Sequence, residues 1–407
     1  MSILIRIKKG MMLFNKETAG RLYFDNAATS FPKPREVVDA VVDYMTVVGG
    51  NPGRSGHRRS IEAGERVFLA REAVTGLFGV RSPMRAVFCQ NATAALNMAI
   101  QGLLVPGDRV VTTAMEHNST IRPLMDMKHR GIDLTVVPCP GGELDPSLFG
   151  DSLRPGTKLA VVNHASNAFG TLAPLGEIGA LCRKRGVLLL ADCAQSAGTV
   201  PIDMGADNID MLAFSGHKGL YGPTGTGGLV FADGFDHARV RPLCFGGTGS
   251  NSDSIEQPDF LPDAYESGTL NAAGICGLAA GIGFIGAQAG GVAGSGLHRK
   301  KLALRFIERA SSRVPGLATY APAERHVSGV VSFNIAGMEP SEVAWLLSDR
   351  YGIMCRSGLH CAPLAHQTMG TFPRGTVRFS FGAFNTPEEV DRAVDALREI
   401  AREGRGR

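Results

Sequence analysis

Lys218 lies in the segment Phe214-Ser215-Gly216-His217-Lys218-Gly219-Leu220-Tyr221-Gly222-Pro223-Thr224-Gly225, directly after a strand-like run and among small and polar residues. Most lysines in turns are solvated cations. A desolvated amine of lowered pKa is instead a nucleophile toward aldehydes, the chemistry of a Schiff-base lysine. Asp192, in Ala191-Asp192-Cys193-Ala194-Gln195, closes another strand-like run. Alone it reads equally well as a helix cap. Paired with such a lysine, it suits the ring nitrogen of pyridoxal phosphate, which a carboxylate keeps protonated so that the ring draws electrons.

A phosphate needs donors. Asn91-Ala92-Thr93-Ala94-Ala95 follows the strand-like Ala86–Cys89 and opens a helix. Backbone N–H groups at a helix start attract phosphate, and Thr93, Ser215 and His217 can add side-chain donors. Taken singly, Thr93 is as well read as an N-cap. His117, in Met115-Glu116-His117-Asn118-Ser119, can stack on a flat ring or be a loop histidine. Cys361 lies in a loop containing Gly and Pro, with His360 adjacent and Arg356 nearby, surroundings that favour a thiolate. Cys355, His360, Cys361 and His366 could also supply four metal ligands, but their spacing lacks paired C-x-x-C, so no metal is expected. Arg378, on the alternating run Gly375–Ser380, can offer a bidentate fork to a carboxylate or form an outward salt bridge. Gly222–Gly228 has neither the lysine and hydroxyl of a P-loop nor G-x-G-x-x-G before a helix.

Repeating elements must hold these groups. Apolar runs with strand character appear at 86–89, 109–113, 133–137, 158–163, 187–191 and 211–215. Helix-like segments fall at 94–103, 119–129 and 175–185. The alternation predicts an open α/β domain with a mostly parallel sheet, which binds ligands at the carboxyl ends of its strands. The Gly-, Ser- and Asp-rich stretch 245–269 breaks the rhythm and is a candidate active-site loop. An Ala/Gly-rich helix is expected over 272–290. A smaller α+β domain follows, with helices near 299–313, 340–351 and 387–402 and a strand at 327–335.

The chain's 407 residues suffice for two or three domains, and 44% hydrophobic against 20% charged residues marks a globular chain. A net charge of +4 over this length makes no case for nucleic-acid or membrane binding. No stretch approaches a membrane span. Residues 1–20 carry a short apolar run ahead of Lys8-Lys9, the wrong order for a signal peptide. They read as an N-terminal extension, with Met11 or Met12 an alternative start. The eight scattered cysteines fit buried thiols in a reducing cytoplasm rather than a disulfide framework.

Taken in order, Asp25-Asn26-Ala27-Ala28-Thr29, Met115–Asn118, Ser166-Asn167-Ala168-Phe169-Gly170, Asp192–Gln195, Ser215–Lys218, Gly268-Thr269 and Arg356-Ser357-Gly358-Leu359-His360-Cys361-Ala362 resemble the cysteine desulfurase and selenocysteine lyase branch of the class V aminotransferases. The resemblance runs from about Tyr23 to about Val394. It implies the type I fold of pyridoxal-phosphate enzymes and a homodimer, with residues 21–285 as the large cofactor-binding domain and 286–407 as the small domain. The N-terminal part of the large domain is expected to pack on the small one. Lys218 would hold the cofactor, Asp192 its ring nitrogen, Gln195 its phenolic oxygen and His117 its face. Ala92, Thr93, Ser215 and His217 would hold the phosphate, with Thr269 reaching in from a second subunit. Asn91-Ala92-Thr93-Ala94 lacks the second threonine and the acidic residue of many relatives, which shifts that task toward backbone donors. Asn167, Arg378, Asn26 and Ala28 would bind substrate, and Cys361 would accept sulfur.

The short segment between Cys361 and Arg378 resembles the group with a compact catalytic loop, whose members often depend on a sulfur-accepting protein. The implied activity is desulfuration of L-cysteine to L-alanine through an enzyme persulfide, serving iron–sulfur or thio-cofactor assembly. Selenocysteine lyase, another β-elimination lyase or an aminotransferase is the competing enzyme reading. A non-catalytic sulfur carrier or scaffold is the reading from another class.

Overall fold

The structure, a computed structural model, describes residues 20–53, 55–324 and 327–404. The expected extension at the N-terminus lies outside the described residues apart from Gly20. Strand β1 is Leu22–Tyr23. A seven-stranded sheet then holds β2 (Ala86–Cys89), β3 (Arg109–Thr113), β4 (Asp133–Val137), β5 (Thr157–Asn163), β6 (Leu188–Asp192), β7 (Met211–Ser215) and β8 (Gly227–Phe231), in the order β2-β8-β7-β6-β5-β3-β4. β8 runs antiparallel to both neighbours, and the others run parallel to one another.

Strands buried on both faces read as unbroken apolar runs. Their alternation is nonetheless real. Ala160 and Val162 of β5, Leu189 and Ala191 of β6, and Leu212 and Phe214 of β7 enter one core, with helices Arg58–Leu77, Leu175–Arg185 and Ala272–Ala287. Leu159 and Val161, Leu190, and Met211 and Ala213 enter the opposite core, with helices Ala92–Leu103 and Asn118–His129. This is the period-2 geometry of a strand with a helix layer on each side.

A second sheet is antiparallel, in the order β12-β13-β10-β9: β9 (Leu317–Tyr320), β10 (Val330–Ile335), β12 (Arg356–Gly358) and β13 (Thr376–Ser380). One face buries Phe306, Phe333 and Phe379, with ring centres 5.0–5.2 Å apart, beneath helices Gly291–Arg313, Pro340–Tyr351 and Pro387–Gly404. Leu22 and Phe24 join that core, because β1 pairs with β11 (Ile353–Met354). The other face is polar and abuts the large sheet's loops. Ser332 Oγ donates to the Ala168 carbonyl at 2.6 Å, and Arg378 donates to the Asn167 carbonyl at 3.0 Å.

Most predicted elements stand within a few residues of their expected positions. The glycine-rich 222–228 differs: its last two residues begin β8. Gly227 and Gly228 are required there, since a Cβ would lie 2.8 Å from Asn91 Cα and 2.5 Å from the Val87 carbonyl oxygen respectively. Helix Gly291–Arg313 starts two turns earlier than its charged half suggests, and helices Arg35–Asp43 and Arg58–Leu77 precede the region where the α/β rhythm was legible. Among the described residues no single helix is long and apolar enough to cross a membrane. All eight cysteines are free thiols.

Candidate active site

Parallel strands bring their carboxyl ends to one edge. β6 ends in Asp192, β7 leads into Lys218, β3 leads into His117, β5 leads into Asn167, and β2 leads into Ala92 and Thr93. These residues, with Gln195 and Ser215, line one cleft.

Desolvation dominates the electrostatics here. Burial lowers Lys218 to about 8, opposed by Asp192 and assisted by Arg378 and Arg356. Asp192 is 1% exposed, and burial raises its pKa against the pull of the Ala194 N–H, which donates to Oδ1 at 2.9 Å, and of Lys218. Ser119 Oγ donates to Asp192 Oδ2 at 3.4 Å and lies 2.8 Å from His117 Nδ1. Burial and the nearby Lys218 lower His117 to about 4, so its imidazole is neutral. It caps helix Asn118–His129, with Nδ1 accepting the Ser119 N–H at 3.0 Å. Capping this helix and orienting the imidazole in the cleft are therefore the same act. Gln195 Nε2 donates to the Ala27 carbonyl at 2.9 Å.

At the other end of the cleft, Asn91 caps helix Ala92–Leu103, and the Ala92 N–H donates to Ser215 Oγ at 3.4 Å. His217 Nδ1 is buried without a partner, and burial lowers this histidine to about 4. The His217 carbonyl receives Ser30 N–H, Thr29 Oγ1, Ser30 Oγ and Lys33 Nζ at 2.9–3.1 Å, which fixes the peptide preceding Lys218. The helix start at Ala92 and Thr93 and the Ser215 hydroxyl at one end suit a phosphate, whereas His217, whose Nδ1 lacks a partner, does not itself line the cleft. A buried carboxylate and a largely desolvated lysine suit a pyridine aldehyde. The residues present fit pyridoxal phosphate.

Cys361 is exposed and approaches this cleft from the small sheet. His360 and Cys361 both have left-handed backbones, with φ of 50° and 58°. Their carbonyls are pinned: Asn167 Nδ2 donates to His360 O at 2.6 Å, and the Asn118 N–H donates to Cys361 O at 2.8 Å. Arg356 Nη2 lies 3.7 Å from Cys361 Sγ. His360 turns away from the thiol, toward Thr376 Oγ1 at 3.2 Å, so of the two neighbours expected to serve the thiolate only Arg356 reaches it. Among the described residues no group of three or more His, Cys, Asp or Glu is placed to hold a metal. Cys355 packs against the small core.

Arg378 is 1% exposed; one Nη donates to Asp25 at 2.5 Å, the other to Asn167 O, and Nε has no partner. Asp25 opens the Asp25–Thr29 motif quoted from the sequence, where it carries no role of its own, and 353 residues separate the pair. Ser119 and Asn163 also line the cleft unannounced, though Ser119 follows His117 by two residues on the same helix start. Asn26 uses its amide nitrogen on Ser380 O, Tyr23 O and Asn385 Oδ1 and lines a neighbouring small cavity, while Ala28 sits in a turn closed on Asp25 O. Thr269 is exposed and does not line the cleft of its own chain.

The family model of class-V aminotransferases matches residues 22–393. A probable cysteine desulfurase of Methanothermobacter thermautotrophicus is 36% identical, over 93% of this chain and 94% of its own. A cysteine desulfurase of Serratia proteamaculans is 32% identical over 97% of both. The apo structure of the cysteine desulfurase from Thermococcus onnurineus superposes with a TM-score of 0.88 at 34% identity, covering 95% of this chain and 96% of that one. The chain belongs to the class-V aminotransferase family of pyridoxal-phosphate enzymes, in its cysteine desulfurase branch.

Proposed function

We propose that this protein binds pyridoxal phosphate at Lys218 and removes sulfur from L-cysteine, leaving L-alanine and a persulfide on Cys361. The observation that carries the reading is the convergence of Lys218, Asp192 and His117 in one cleft, with the Cys361 carbonyl bonded to the residue after His117. Bound cofactor supplies an electron sink for the bonds at the substrate's α-carbon. Asp192 holds a proton on the ring nitrogen. His117 covers the ring and is steadied by Ser119. Thr93, Ser215, His217 and the start of helix Ala92–Leu103 hold the phosphate. Arg378 and Asn167 orient the substrate's carboxylate. Lys218 Nζ, of lowered pKa, takes the α-proton and returns a proton to the product. The Cys361 thiolate, beside Arg356, attacks the substrate's sulfur. A sulfur–sulfur bond forms as the carbon–sulfur bond breaks, and the broken bond's electron pair stays on the β-carbon, which takes a proton.

The exposed Thr269 supports a homodimer in which it reaches the partner's phosphate site. The exposure of Cys361 supports transfer of sulfur to an acceptor protein. A cytoplasmic location and the division at about residue 285 complete the proposal. Cys361→Ala tests it: alanine formation from cysteine should vanish while the visible absorbance of bound cofactor persists. Lys218→Ala should lose that absorbance. Full cysteine turnover in Cys361→Ala refutes the persulfide role. Turnover of selenocysteine but not of cysteine by the wild-type enzyme identifies the lyase reading instead.

A further inference from the structure

Arg299 is a buried cation without an anion. It lies in helix Gly291–Arg313 and is 7% exposed. Nη2 donates to the Tyr221 hydroxyl at 2.9 Å, and the guanidinium carbon sits 5.4 Å from the centre of that ring. Nε is buried with no partner. The other buried arginines differ, since Arg71 pairs with Glu266 and Arg378 with Asp25. Among the described residues no carboxylate lies within ion-pair distance of Arg299. Taking a guanidinium out of water is costly unless a countercharge accompanies it, and an aromatic face offsets only part of that cost.

Arg299 lines a cavity of about 30 Å³ at the seam between the two sheets' units. Gln195, Thr199 and Ser328 bring polar side chains to it, and no acidic side chain lines it. The space admits roughly one or two water-sized particles. Water in the cavity would leave the charge uncompensated.

We propose that Arg299 holds a small inorganic anion, of halide size, in this cavity. The site is tied to the cofactor lysine. The Tyr221 hydroxyl also accepts the Ala383 N–H at 2.6 Å, and the Tyr221 N–H donates to the Lys218 carbonyl at 3.0 Å. Gly329 passes so close that an added Cβ would lie 2.6 Å from Arg299 Cβ, which holds the arginine stem in place. The anion therefore steadies both the seam and the turn that follows Lys218.

The test uses the full chain as purified with its cofactor. Its thermal unfolding midpoint is followed as chloride replaces gluconate at fixed ionic strength. The midpoint should climb with chloride in the wild type and stay level in Arg299→Met. Crystals grown in bromide should show an anomalous peak in the cavity that Arg299 lines. A wild-type midpoint indifferent to chloride, an equal climb in Arg299→Met, or only water density in the cavity in bromide overturns the assignment. Should the variant fail to fold, the wild-type titration and the bromide crystals still decide.

Discussion

The lowered pKa of Lys218 fixes how this chain should capture an aldehyde. An ordinary lysine, near 10.4, is about 0.04% neutral at pH 7, whereas one near 8 is about 10% neutral. Lys218 is lowered to about 8, chiefly by burial. Its supply of free amine at pH 7 is thus about 250-fold that of a solvated lysine. In chain stripped of cofactor, the rate of covalent capture of pyridoxal phosphate, trapped with borohydride and mapped by peptide mass, should be half-maximal near pH 8 at Lys218. Adducts on exposed lysines supply the internal control and should keep rising to about pH 10. The charges around the amine set the direction of two further shifts. Asp192 raises the Lys218 pKa, so Asp192→Asn should move the half-maximum below 8. Arg378 lowers it, so Arg378→Leu should move it up. Half-maximal capture at Lys218 near pH 10, or preferential labelling elsewhere, would refute the desolvation argument.

Other perturbations read different parts of the molecule. Glu266→Ala would strand the Arg71 guanidinium and the Phe88 N–H, which Glu266 Oε1 accepts at 2.7 and 2.6 Å; both side chains are buried, so chemical denaturation should show a loss of about 3–5 kcal/mol. A loss under about 1 kcal/mol would mean that water reaches the pair. Gly227→Ala would place a methyl 2.6 Å from the Phe214 carbonyl oxygen and 2.8 Å from Asn91 Cα, so it should cost about 1–3 kcal/mol and weaken cofactor retention; an unchanged melting point counts against that tight approach. Burial lowers His164 and His366 to about 4, so NMR titration should find both imidazoles neutral at pH 5, and midpoints near 6.5 would contradict their burial. Because these folded-state values lie below the unfolded 6.5, both residues withdraw stability as pH falls from about 6.5 toward 4.

The positions of Lys218, Asp192 and His117 were legible because each follows or ends a short apolar run, and parallel strands carry such positions to a common edge. What stayed hidden has physical causes. β8 opens on glycines that serve close packing rather than strand propensity, so its first residues read as a turn. Asp25 meets Arg378 only because β1 pairs with β11 and carries the following segment to the end of β13, where Asp25 bridges Ser380. No local pattern encodes a contact across most of the chain. Arg299 sits in a charged stretch, His298-Arg299-Lys300-Lys301, that reads as a solvated helix face. Its burial depends on the two units closing over it.

The loop bearing Cys361 narrows how sulfur can leave. Two consecutive non-glycine residues with positive φ cost on the order of 1–3 kcal/mol each. The bonds to the His360 and Cys361 carbonyls help to offset that strain, and their donors stand on the loop after β5 and at the start of the helix after β3. A loop that swung outward to deliver sulfur would break both bonds and lose that compensation. The same donors belong to the segments proposed to orient substrate and cofactor, so the thiol's place is set by the cleft itself. Under the persulfide reading, the terminal sulfur therefore stays at the mouth of the cleft. An acceptor must come to it, through the exposed surface around Cys361 and past the Arg356 guanidinium, instead of being met by a mobile arm.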